Sequence, residues 1–373
     1  MSYPMDNRPA KGTALYTRKL IERLLDDDRF EFTLVHYDQV DDPLYGRAKE
    51  LRLPVTKLLY ASHLFAQLRF FWRYRKNDFD IIHWFLPRLY PFYWLAPAKR
   101  IVVTAHAAGD KTAPAFFNFP KLVFNFVMTW CNRPIDAAIA VSEFAKTEVV
   151  RHYRFNPERV FVTYNAAGEE FRPIDKPAAL RQVAAKYHLP DSFILDISRL
   201  QRHKNVETLI TAYEILRNNH PERREVLVIV GSPVRGYRAP IELAKRSAYR
   251  EDIHFIDYVD GADLNALYAA AKLFVFPSFN EGFGIPIVEA FASGTPVITS
   301  NFTALPEIAG GAATLVDPRA PAAIAKAMNQ ILSDGKLYQT MRTRGLARAK
   351  AFTWQRTADQ TKEIYLQLLS RRL

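Results

Sequence analysis

Residues 276–298 constrain the fold of this chain more than any other stretch. An apolar run at residues 273–276 is typical of a buried parallel strand. Gly282 and Gly284 then predict a turn, and Pro286 suits the first turn of a helix, where its missing N–H costs nothing. The stretch therefore predicts a strand, a glycine-rich turn, a helix and, after them, a second strand.

Such a turn is suited to binding an anion, because the unpaired N–H groups and the dipole of a helix N-terminus favour negative charge there. Glu281 lies just before the turn and Glu289 lies inside the helix. On one helix they would be about 12 Å apart along the axis. They can therefore contact different ends of an extended ligand, such as a diphosphate flanked by two hydroxyl-rich groups. The residues alone leave open that both carboxylates are merely solvated.

Segments in this half of the chain resemble family 4 retaining glycosyltransferases, or glycosyl transferases group 1. The resemblance covers roughly residues 12–333 and is specific over residues 276–318. It implies a GT-B fold, an α/β architecture in which two Rossmann-like, doubly wound parallel-sheet domains face each other across a cleft, with a nucleotide-sugar against the C-terminal domain. The segments that carry the resemblance are 281–286, 289–297, 305–307 and 316–318, supported by 12–18, 103–106, 141–144, 199–200 and 204–205.

The resemblance implies that the second domain supplies most contacts to the donor. Arg199 follows an apolar strand and Lys204 precedes a helix, so two cations converge where ligands of open α/β sheets bind. In the family, such cations bind the donor diphosphate and stabilise it as it departs. The resemblance also implies that Glu289 binds the ribose hydroxyls and that Glu281 contacts the transferred sugar. The turn residues expected to complete the donor site are Gly282, Phe283, Gly284 and Ile285.

In the first domain, the resemblance singles out two residues. Gly12 matches a glycine that lets the backbone approach the donor phosphates, and His106 follows an apolar strand and matches a histidine near the reacting centre. A lone histidine at a strand end is otherwise most often structural, and both interpretations remain open. The resemblance thus assigns catalysis to Glu281, His106, Arg199 and Lys204, and donor binding to Gly12 as well.

Apolar runs and helical patterns alternate along nearly the whole chain, as in a doubly wound sheet. The predicted strands are residues 32–35, 81–84, 101–104, 137–141, 160–162, 193–197, 226–230 and 273–276. Periodicity is weakest between residues 165 and 190. We therefore expect an acceptor-side Rossmann-like domain over 1–170, a linker over 171–190, a nucleotide-sugar-binding domain over 191–352 and a C-terminal helix over 353–373 that crosses back to the first domain.

Other catalytic patterns are weak or missing in the sequence. Asp78 and Asp80 form an Asp-x-Asp pattern that binds a divalent metal in a different glycosyltransferase fold, but they precede a buried strand. The nine histidines and one cysteine have no zinc-ligand spacing. We expect no metal and no cofactor, with a GDP- or UDP-linked sugar as donor substrate and Arg199 and Lys204 neutralising its diphosphate.

Composition favours an ordinary globular enzyme of a reducing compartment. The 373 residues are 49% hydrophobic and 24% charged, which is enough to form two cores. The single cysteine, Cys131, excludes an intramolecular disulfide. Residues 1–10 lack the apolar core of a secretory signal, and no apolar run reaches the about 18 residues of a membrane span. We expect a cytoplasmic protein.

The net charge of +12 is concentrated in one region. Residues 47–121 contain 13 Lys or Arg against 4 Asp or Glu, a local balance of +9. Aromatic residues there include Phe65, Phe70, Phe71, Trp72, Trp84 and Phe85, with Arg69 and Arg73 among them. This mixture predicts peripheral attachment to an anionic surface on the inner face of the membrane. Nucleic acid is the competing partner, which we do not expect, and a packed aromatic core with solvated cations remains open.

The predicted function is transfer of a hexose, with mannose expected from the resemblance, from a nucleotide diphosphate sugar to a glycan or lipid-linked saccharide. One alternative is another GT-B enzyme, such as a nucleotide-sugar epimerase. Another is a noncatalytic basic protein that binds a membrane or nucleic acid. The presence of Arg199, Lys204, Glu281 and Glu289 together argues against an inactive site.

Overall fold

The computed structural model describes residues 2, 5, 12–37, 42–53, 62–74, 78–86, 95–106, 126, 129–130, 132–234 and 236–370. The chain forms two compact units. The first unit comprises residues 1–165 and 354–373, and the second unit comprises residues 166–353. The chain thus passes into the second unit between Asn165 and Ala166, and its last segment belongs to the first unit.

Twelve strands and twelve helices longer than a single 3-10 turn occur within the described residues. The strands are β1 (Thr33–His36), β2 (Lys49–Arg52), β3 (Phe79–Trp84), β4 (Ala98–Ala105), β5 (Ala137–Ala140), β6 (Val160–Val162), β7 (Phe193–Ile197), β8 (Val226–Val230), β9 (Ile253–Ile256), β10 (Leu273–Phe276), β11 (Val297–Ser300) and β12 (Thr314–Val316). The helices are α1 (Thr13–Leu24), α2 (Ser62–Arg73), α3 (Glu143–Tyr153), α4 (Lys176–Tyr187), α5 (Val206–Asn219), α6 (Ala239–Arg246), α7 (Gly261–Ala270), α8 (Ile285–Ala292), α9 (Leu305–Ala309), α10 (Pro321–Ser333), α11 (Gly335–Ala349) and α12 (Trp354–Ser370).

The first unit is built on parallel strands. β1 pairs with β2, and β3 to β6 form a four-stranded sheet in chain order. The C-terminal helix α12 packs against α1, and Lys362 on α12 lies 3.2 Å from the Asp27 carboxylate just after α1. Trp84, Tyr16 and Leu20 are fully buried between these elements. Burial of such large side chains is the main source of stability in a unit of this kind.

The second unit contains a six-stranded parallel sheet in the order β12-β11-β10-β7-β8-β9. Numbered within the unit, this order is 6-5-4-1-2-3, which is that of a Rossmann fold. The strands are continuous apolar runs because helices cover both faces. On one face Ile194, Leu227 and Val275 pack with α5 and α10. On the other face Phe274 contacts Tyr268 of α7 at 5.2 Å between ring centroids.

The strands predicted at residues 160–162, 193–197, 226–230 and 273–276 are confirmed residue for residue. The other four predicted strands are present with ends shifted by one to three residues. The segment at residues 171–190, expected as a linker, lies in the second unit and contains α4.

The aromatic residues of the basic region divide between core and surface. Phe70, Phe71, Trp84 and Phe85 are buried, whereas Trp72 on α2 is 90% exposed. The remaining basic and aromatic residues of that region fall partly outside the described residues. Among the helices of the described ranges, none is both long enough and apolar enough to cross a membrane.

Candidate functional site

The carboxyl ends of β7 and β10 bring the predicted donor residues together. These strands are neighbours in the sheet, but the chain continues from β7 towards β8 and β9 on one side and from β10 towards β11 and β12 on the other. Ligands of open α/β sheets bind at such a switch point, because the connections leave a crevice there. Arg199 and Lys204 follow β7, and Glu281 follows β10.

Lys204 and Glu281 form an ion pair at this point, with 2.6 Å between the lysine Nζ and the carboxylate Oε1. Their side chains are only 16% and 14% exposed. The Ser278 hydroxyl lies 2.7 Å from the same oxygen and 2.9 Å from the His203 carbonyl oxygen, and its single proton is donated to one of them at a time. The ammonium group has three N–H donors, so two remain for a ligand. The sequence assigned Lys204 and Glu281 to different parts of the donor, whereas the structure pairs them.

Asn205 explains why Lys204 lies where it does. Lys204 ends a single 3-10 turn, and Asn205 follows with φ of 60°, a left-handed conformation that asparagine adopts more readily than most residues. The Asn205 amide donates to the carbonyl oxygens of Pro277 at 3.0 Å and Pro318 at 2.7 Å. The cation is therefore attached to the loop after β10 and to the loop after β12, and its position is set before any ligand binds.

The turn before α8 has the conformation that its glycines predict. Gly284 caps the helix at φ of 103°, and Pro286 lies in the first turn. A Cβ at residue 284 would lie 2.8 Å from the Leu305 Cδ2 atom, so both conformation and space require glycine. Phe283 is buried and packs edge-on against Phe352 at 5.6 Å between centroids. The N-terminus of α8 is thus held on the same side as Lys204, where its dipole favours an anion.

Glu289 lies inside α8 and is buried. The Tyr268 hydroxyl donates to its Oε2 atom at 2.9 Å. Burial raises the pKa of the Glu289 carboxyl to about 7, which the hydrogen bond from Tyr268 opposes and the negative charge of Glu170 reinforces. A carboxyl group oriented by one hydrogen bond can accept further bonds from ligand hydroxyls, which is the role expected for this residue.

Arg199 is the exposed member of the site. Within the described part of the chain, its guanidinium group has no hydrogen-bond or ion-pair partner. The preceding and following backbone is fixed, since the Ser198 and Leu200 N–H groups donate to the carbonyl oxygens of Val230 and Ser232. The backbone at Arg199 is therefore fixed, while its exposed guanidinium group can follow a diphosphate as it leaves.

In the first unit, Tyr16 contacts both His106 and Gly12. His106 follows β4, its Nε2 atom lies 3.1 Å from the Phe85 carbonyl oxygen, and its ring contacts that of Tyr16 edge-on at 4.8 Å. Tyr16 lies one turn into α1, and its N–H donates to the Gly12 carbonyl at 3.0 Å. Gly12 caps α1 at φ of 57° and ψ of −120°, a conformation that favours glycine. Both residues therefore lie at one end of α1.

Within the described residues no cluster of His, Cys, Asp or Glu has the grouping of a metal site. Asp80, one member of the Asp-x-Asp pattern, lies at the start of β3 and pairs with Lys99 at 2.7 Å.

Comparison with known proteins identifies the family of this chain. The sequence profile of Glycosyltransferase Family 4 matches residues 10–169, and that of Glycosyl transferases group 1 matches residues 183–348. The O-antigen chain mannosyltransferase B of Escherichia coli is 34% identical over 280 residues, which are 74% of this chain and 72% of that protein. The chain belongs to the family 4 glycosyltransferases.

Two solved structures share the fold of this glycosyltransferase. Sucrose-phosphate synthase of Thermosynechococcus elongatus matches with a TM-score of 0.77 at 22% identity, over 96% of this chain and 94% of that one. Anabaena Alr3699/HepE in complex with UDP and glucose matches with a TM-score of 0.77 at 18% identity, over 97% and 98% of the two chains. At these identities the likeness concerns the fold alone, which is GT-B.

The sequence interpretation of this glycosyltransferase missed an ionisable group beside the site. Asp196 is fully buried on β7, and the Ser198 hydroxyl donates to its Oδ2 atom at 2.6 Å. Its Oδ1 atom has no partner among the described residues. Burial raises the pKa of the Asp196 carboxyl to about 7, opposed by the Ser198 hydrogen bond and the charge of Lys204 and reinforced by Glu281. The sequence did contain a signal for this group, because Asp196 is an acidic residue inside an otherwise apolar strand.

Proposed function

We propose that this glycosyltransferase moves a mannosyl unit from a nucleotide diphosphate sugar to a hydroxyl group of a glycan or lipid-linked saccharide, with retention of the anomeric configuration. The observation that carries the proposal is the convergence of Arg199, Lys204 and the N-terminus of α8 at the switch point of the second unit. The choice of mannose and of a glycan acceptor is supported by similarity to the O-antigen chain mannosyltransferase.

The chemistry follows from the charge that develops in the reaction. The bond that breaks joins the anomeric carbon to a diphosphate oxygen, so negative charge accumulates on the leaving diphosphate. Arg199, the two remaining N–H donors of Lys204 and the backbone of Gly282 to Ile285 would stabilise that charge. Because these groups are cationic or dipolar already, we propose that no metal ion and no other cofactor is needed.

The remaining roles concern recognition of the donor. We propose that Glu289, oriented by Tyr268, binds the ribose hydroxyls, and that Glu281 contacts the transferred sugar while it stays paired with Lys204. In the first unit, Gly12 would lie next to donor phosphates and His106 next to the sugar, as the family resemblance implies. The ring of His106 is held by Tyr16, which gives it the fixed orientation that such a contact requires.

Transfer assays with a panel of GDP- and UDP-sugars test the proposal, with saccharide acceptors and with EDTA added in parallel. We expect GDP-mannose to be consumed only when an acceptor is present, and the product to have the anomeric configuration of the donor by NMR. Conversion of the donor without an acceptor would identify the epimerase alternative. Absence of nucleotide binding would favour a noncatalytic protein, and loss of activity with EDTA would contradict metal independence.

We also propose that the enzyme is cytoplasmic and attaches peripherally to an anionic membrane surface. On α2, Arg69, Trp72 and Arg73 are exposed at positions i, i+3 and i+4, which lie on one face of a helix. Basic residues near anionic headgroups contribute about 1 kcal/mol each, and an exposed tryptophan suits the interface.

Cosedimentation with anionic liposomes at low and high salt tests this attachment. We expect binding at low salt that falls when Arg69 and Arg73 are both replaced by glutamate, whereas Lys326→Glu on the exposed face of α10 serves as the control. Failure of the wild-type protein to bind at low salt would contradict the proposal, and binding of nucleic acid in its place would favour the competing partner.

A further inference from the structure

A second basic site lies in the first unit, away from the residues discussed so far. A cavity of about 490 Å³ is lined by described residues of two connecting segments, 129–130 with 132–135, and 154–159. One segment precedes β5 and the other precedes β6. The cavity therefore lies at the amino ends of these strands, whereas His106 follows the carboxyl end of β4. The four residues of β5 correspond to about 13 Å along the sheet, so the cavity is separate from the surroundings of His106.

Three guanidinium groups line this cavity, those of Arg133, Arg154 and Arg159. None of the described lining residues is acidic, and none of the three arginines forms an ion pair within the described ranges. Like charges repel one another, so three cations around one cavity are unfavourable without a counter-charge. An anionic ligand would supply that counter-charge, because it would gain charge-assisted hydrogen bonds from all three side chains.

The backbone and an aromatic ring hold two of these arginines in place. Arg154 ends α3 in the left-handed conformation, with φ of 56°, which is uncommon for a residue other than glycine. Its guanidinium lies 4.4 Å from the centroid of the Trp130 ring, a cation–π contact. Arg159 donates from Nη1 to the Arg133 carbonyl oxygen at 3.3 Å. Stacking on a ring leaves the N–H groups at the edge of the guanidinium available, which is the geometry that binds phosphate.

The lining of the cavity also indicates the charge of the anion and the kind of group attached to it. Trp130 is 59% exposed, so part of its ring faces solvent beside the arginines. Asn132 and Asn156 also line the cavity, and both amides are oriented by the backbone: the Asn132 Nδ2 group donates to the Tyr153 carbonyl oxygen at 2.6 Å, and the Asn156 Oδ1 atom accepts from the Glu158 N–H at 3.0 Å. A carboxylate would neutralise only one of three cations, whereas a diphosphate or a phosphate monoester carries two or more negative charges. A flat aromatic ring next to polar amides suits a sugar ring attached to that group.

We propose that this cavity binds a phosphoryl group, preferably a diphosphate, borne by a sugar or by a lipid headgroup. The site is distinct from the donor site of the second unit and does not rest on the function proposed for that site. A glycosyltransferase with such a site would hold a phosphorylated molecule at the amino edge of the first unit's sheet, remote from His106.

Isothermal titration with inorganic diphosphate tests the proposal in full-length protein carrying Arg199→Ala/Lys204→Ala, so that these two cations of the second unit do not contribute. We expect binding that weakens between low and high salt. Replacing both Arg154 and Arg159 by glutamine should reduce the affinity about tenfold or more. The matched control is Arg151→Gln, an exposed arginine on α3 that does not line the cavity, and it should change the affinity less than twofold.

Arg133→Gln provides a second variant that leaves the left-handed residue untouched, and it should also weaken binding several-fold. Flotation with phosphatidylcholine vesicles that contain phosphatidic acid distinguishes a soluble phosphorylated sugar from a lipid headgroup as the source of the phosphoryl group. If the double variant loses diphosphate binding and keeps vesicle binding, the ligand is a soluble phosphoryl compound. If it loses both, the phosphate belongs to a lipid. Unchanged diphosphate affinity in the double variant and in Arg133→Gln would overturn the proposal, whatever the vesicles show.

Discussion

The buried cation of the second unit, Lys204, is held differently from the exposed cations that line the cavity of the first unit. In the second unit Lys204 is mostly buried and paired with Glu281, whereas in the first unit Arg133, Arg154 and Arg159 surround a cavity whose described lining contains no carboxylate. A paired, buried cation has its position set before a ligand arrives, and removing its partner is costly. An exposed cation is positioned without being neutralised, so a bound anion would supply the counter-charge. Changes to the Lys204–Glu281 pair should therefore affect both folding and activity, and changes to the three arginines of the first unit should mainly affect binding.

The largest effect is expected from breaking the buried pair. Lys204→Ala should lower kcat/KM for transfer by about 100-fold or more, since it removes a preorganised charge from the leaving diphosphate. It should also lower the free energy of unfolding by about 2–3 kcal/mol, because Glu281 is left mostly buried without its cation.

The double variant Lys204→Ala/Glu281→Gln separates the two effects. We expect urea unfolding to show much of the lost stability restored, while steady-state kinetics show activity still low. Recovery of activity in the double variant would contradict a role for Lys204 in catalysis, and purely additive losses of stability would contradict the importance of the pair.

The next largest effect concerns the turn before α8. Gly284→Ala should destabilise the second unit by about 3 kcal/mol, since the residue has φ of 103° and a Cβ would lie 2.8 Å from Leu305. Urea unfolding measures the loss, and donor affinity should fall with it because the helix N-terminus moves. Gly335→Ala on α11, where a Cβ would meet nothing within 4 Å, is the control. Equal stability of the two variants would refute a strained turn.

Asp196 should make the stability of the second unit depend on pH. The pKa of this carboxyl is about 7 in the folded protein and ordinarily 3.8, so between about pH 4 and 7 the folded state binds more protons than the unfolded state. The free energy of unfolding therefore falls as pH rises through this window, by up to about 1.4 kcal/mol per pH unit. Asp196→Asn removes that contribution.

Urea unfolding at half-unit steps from pH 4.5 to 7.5 checks the pH dependence. The stability of Asp196→Asn relative to wild type should increase with pH, whereas the exposed control Asp191→Asn should follow the wild-type curve. Parallel curves for wild type and Asp196→Asn would contradict the raised pKa.

The smallest effect is expected at Gly12, the glycine that precedes α1 in the first unit as Gly284 precedes α8 in the second. Gly12 also has a positive φ, 57°, but a Cβ there would meet no atom within 4 Å. Gly12→Ala should therefore cost only about 1–2 kcal/mol of backbone strain. If a donor phosphate approaches this backbone, KM for the donor should rise more than stability falls. An unchanged KM would show that no phosphate approaches Gly12.

Much of the second unit could be predicted because its strands are buried on both faces. Residues 193–197, 226–230 and 273–276 are continuous apolar runs, and their ends matched the structure. β2, β9 and β12 were missed, because at most one residue of each of these strands is buried and they lack a continuous apolar run. The helix α4 was taken for a linker because only Ala179 and Val183 of its side chains are buried, which leaves little periodicity.

The sequence predicted which residues follow β7 and β10, but it did not predict the contacts that these residues make. Lys204 and Glu281 are 77 residues apart in the chain, and their pairing depends on β7 and β10 being neighbours, which strand patterns alone do not determine. Asp196 was counted as part of an apolar strand, so its burial next to the site was missed. The cavity at Arg133, Arg154 and Arg159 joins two connecting segments and has no motif in the sequence.

The central claim is that the switch point of the second unit binds the nucleotide diphosphate of the donor. Titration calorimetry with GDP and UDP tests it most directly, on the wild-type enzyme, on Arg199→Ala/Lys204→Ala and on the exposed control Lys326→Ala. We expect one of the nucleotides to bind the wild-type and control proteins with similar affinity, and the double variant to bind it at least about 100-fold more weakly. Equal affinity of the double variant and the wild type would contradict the claim.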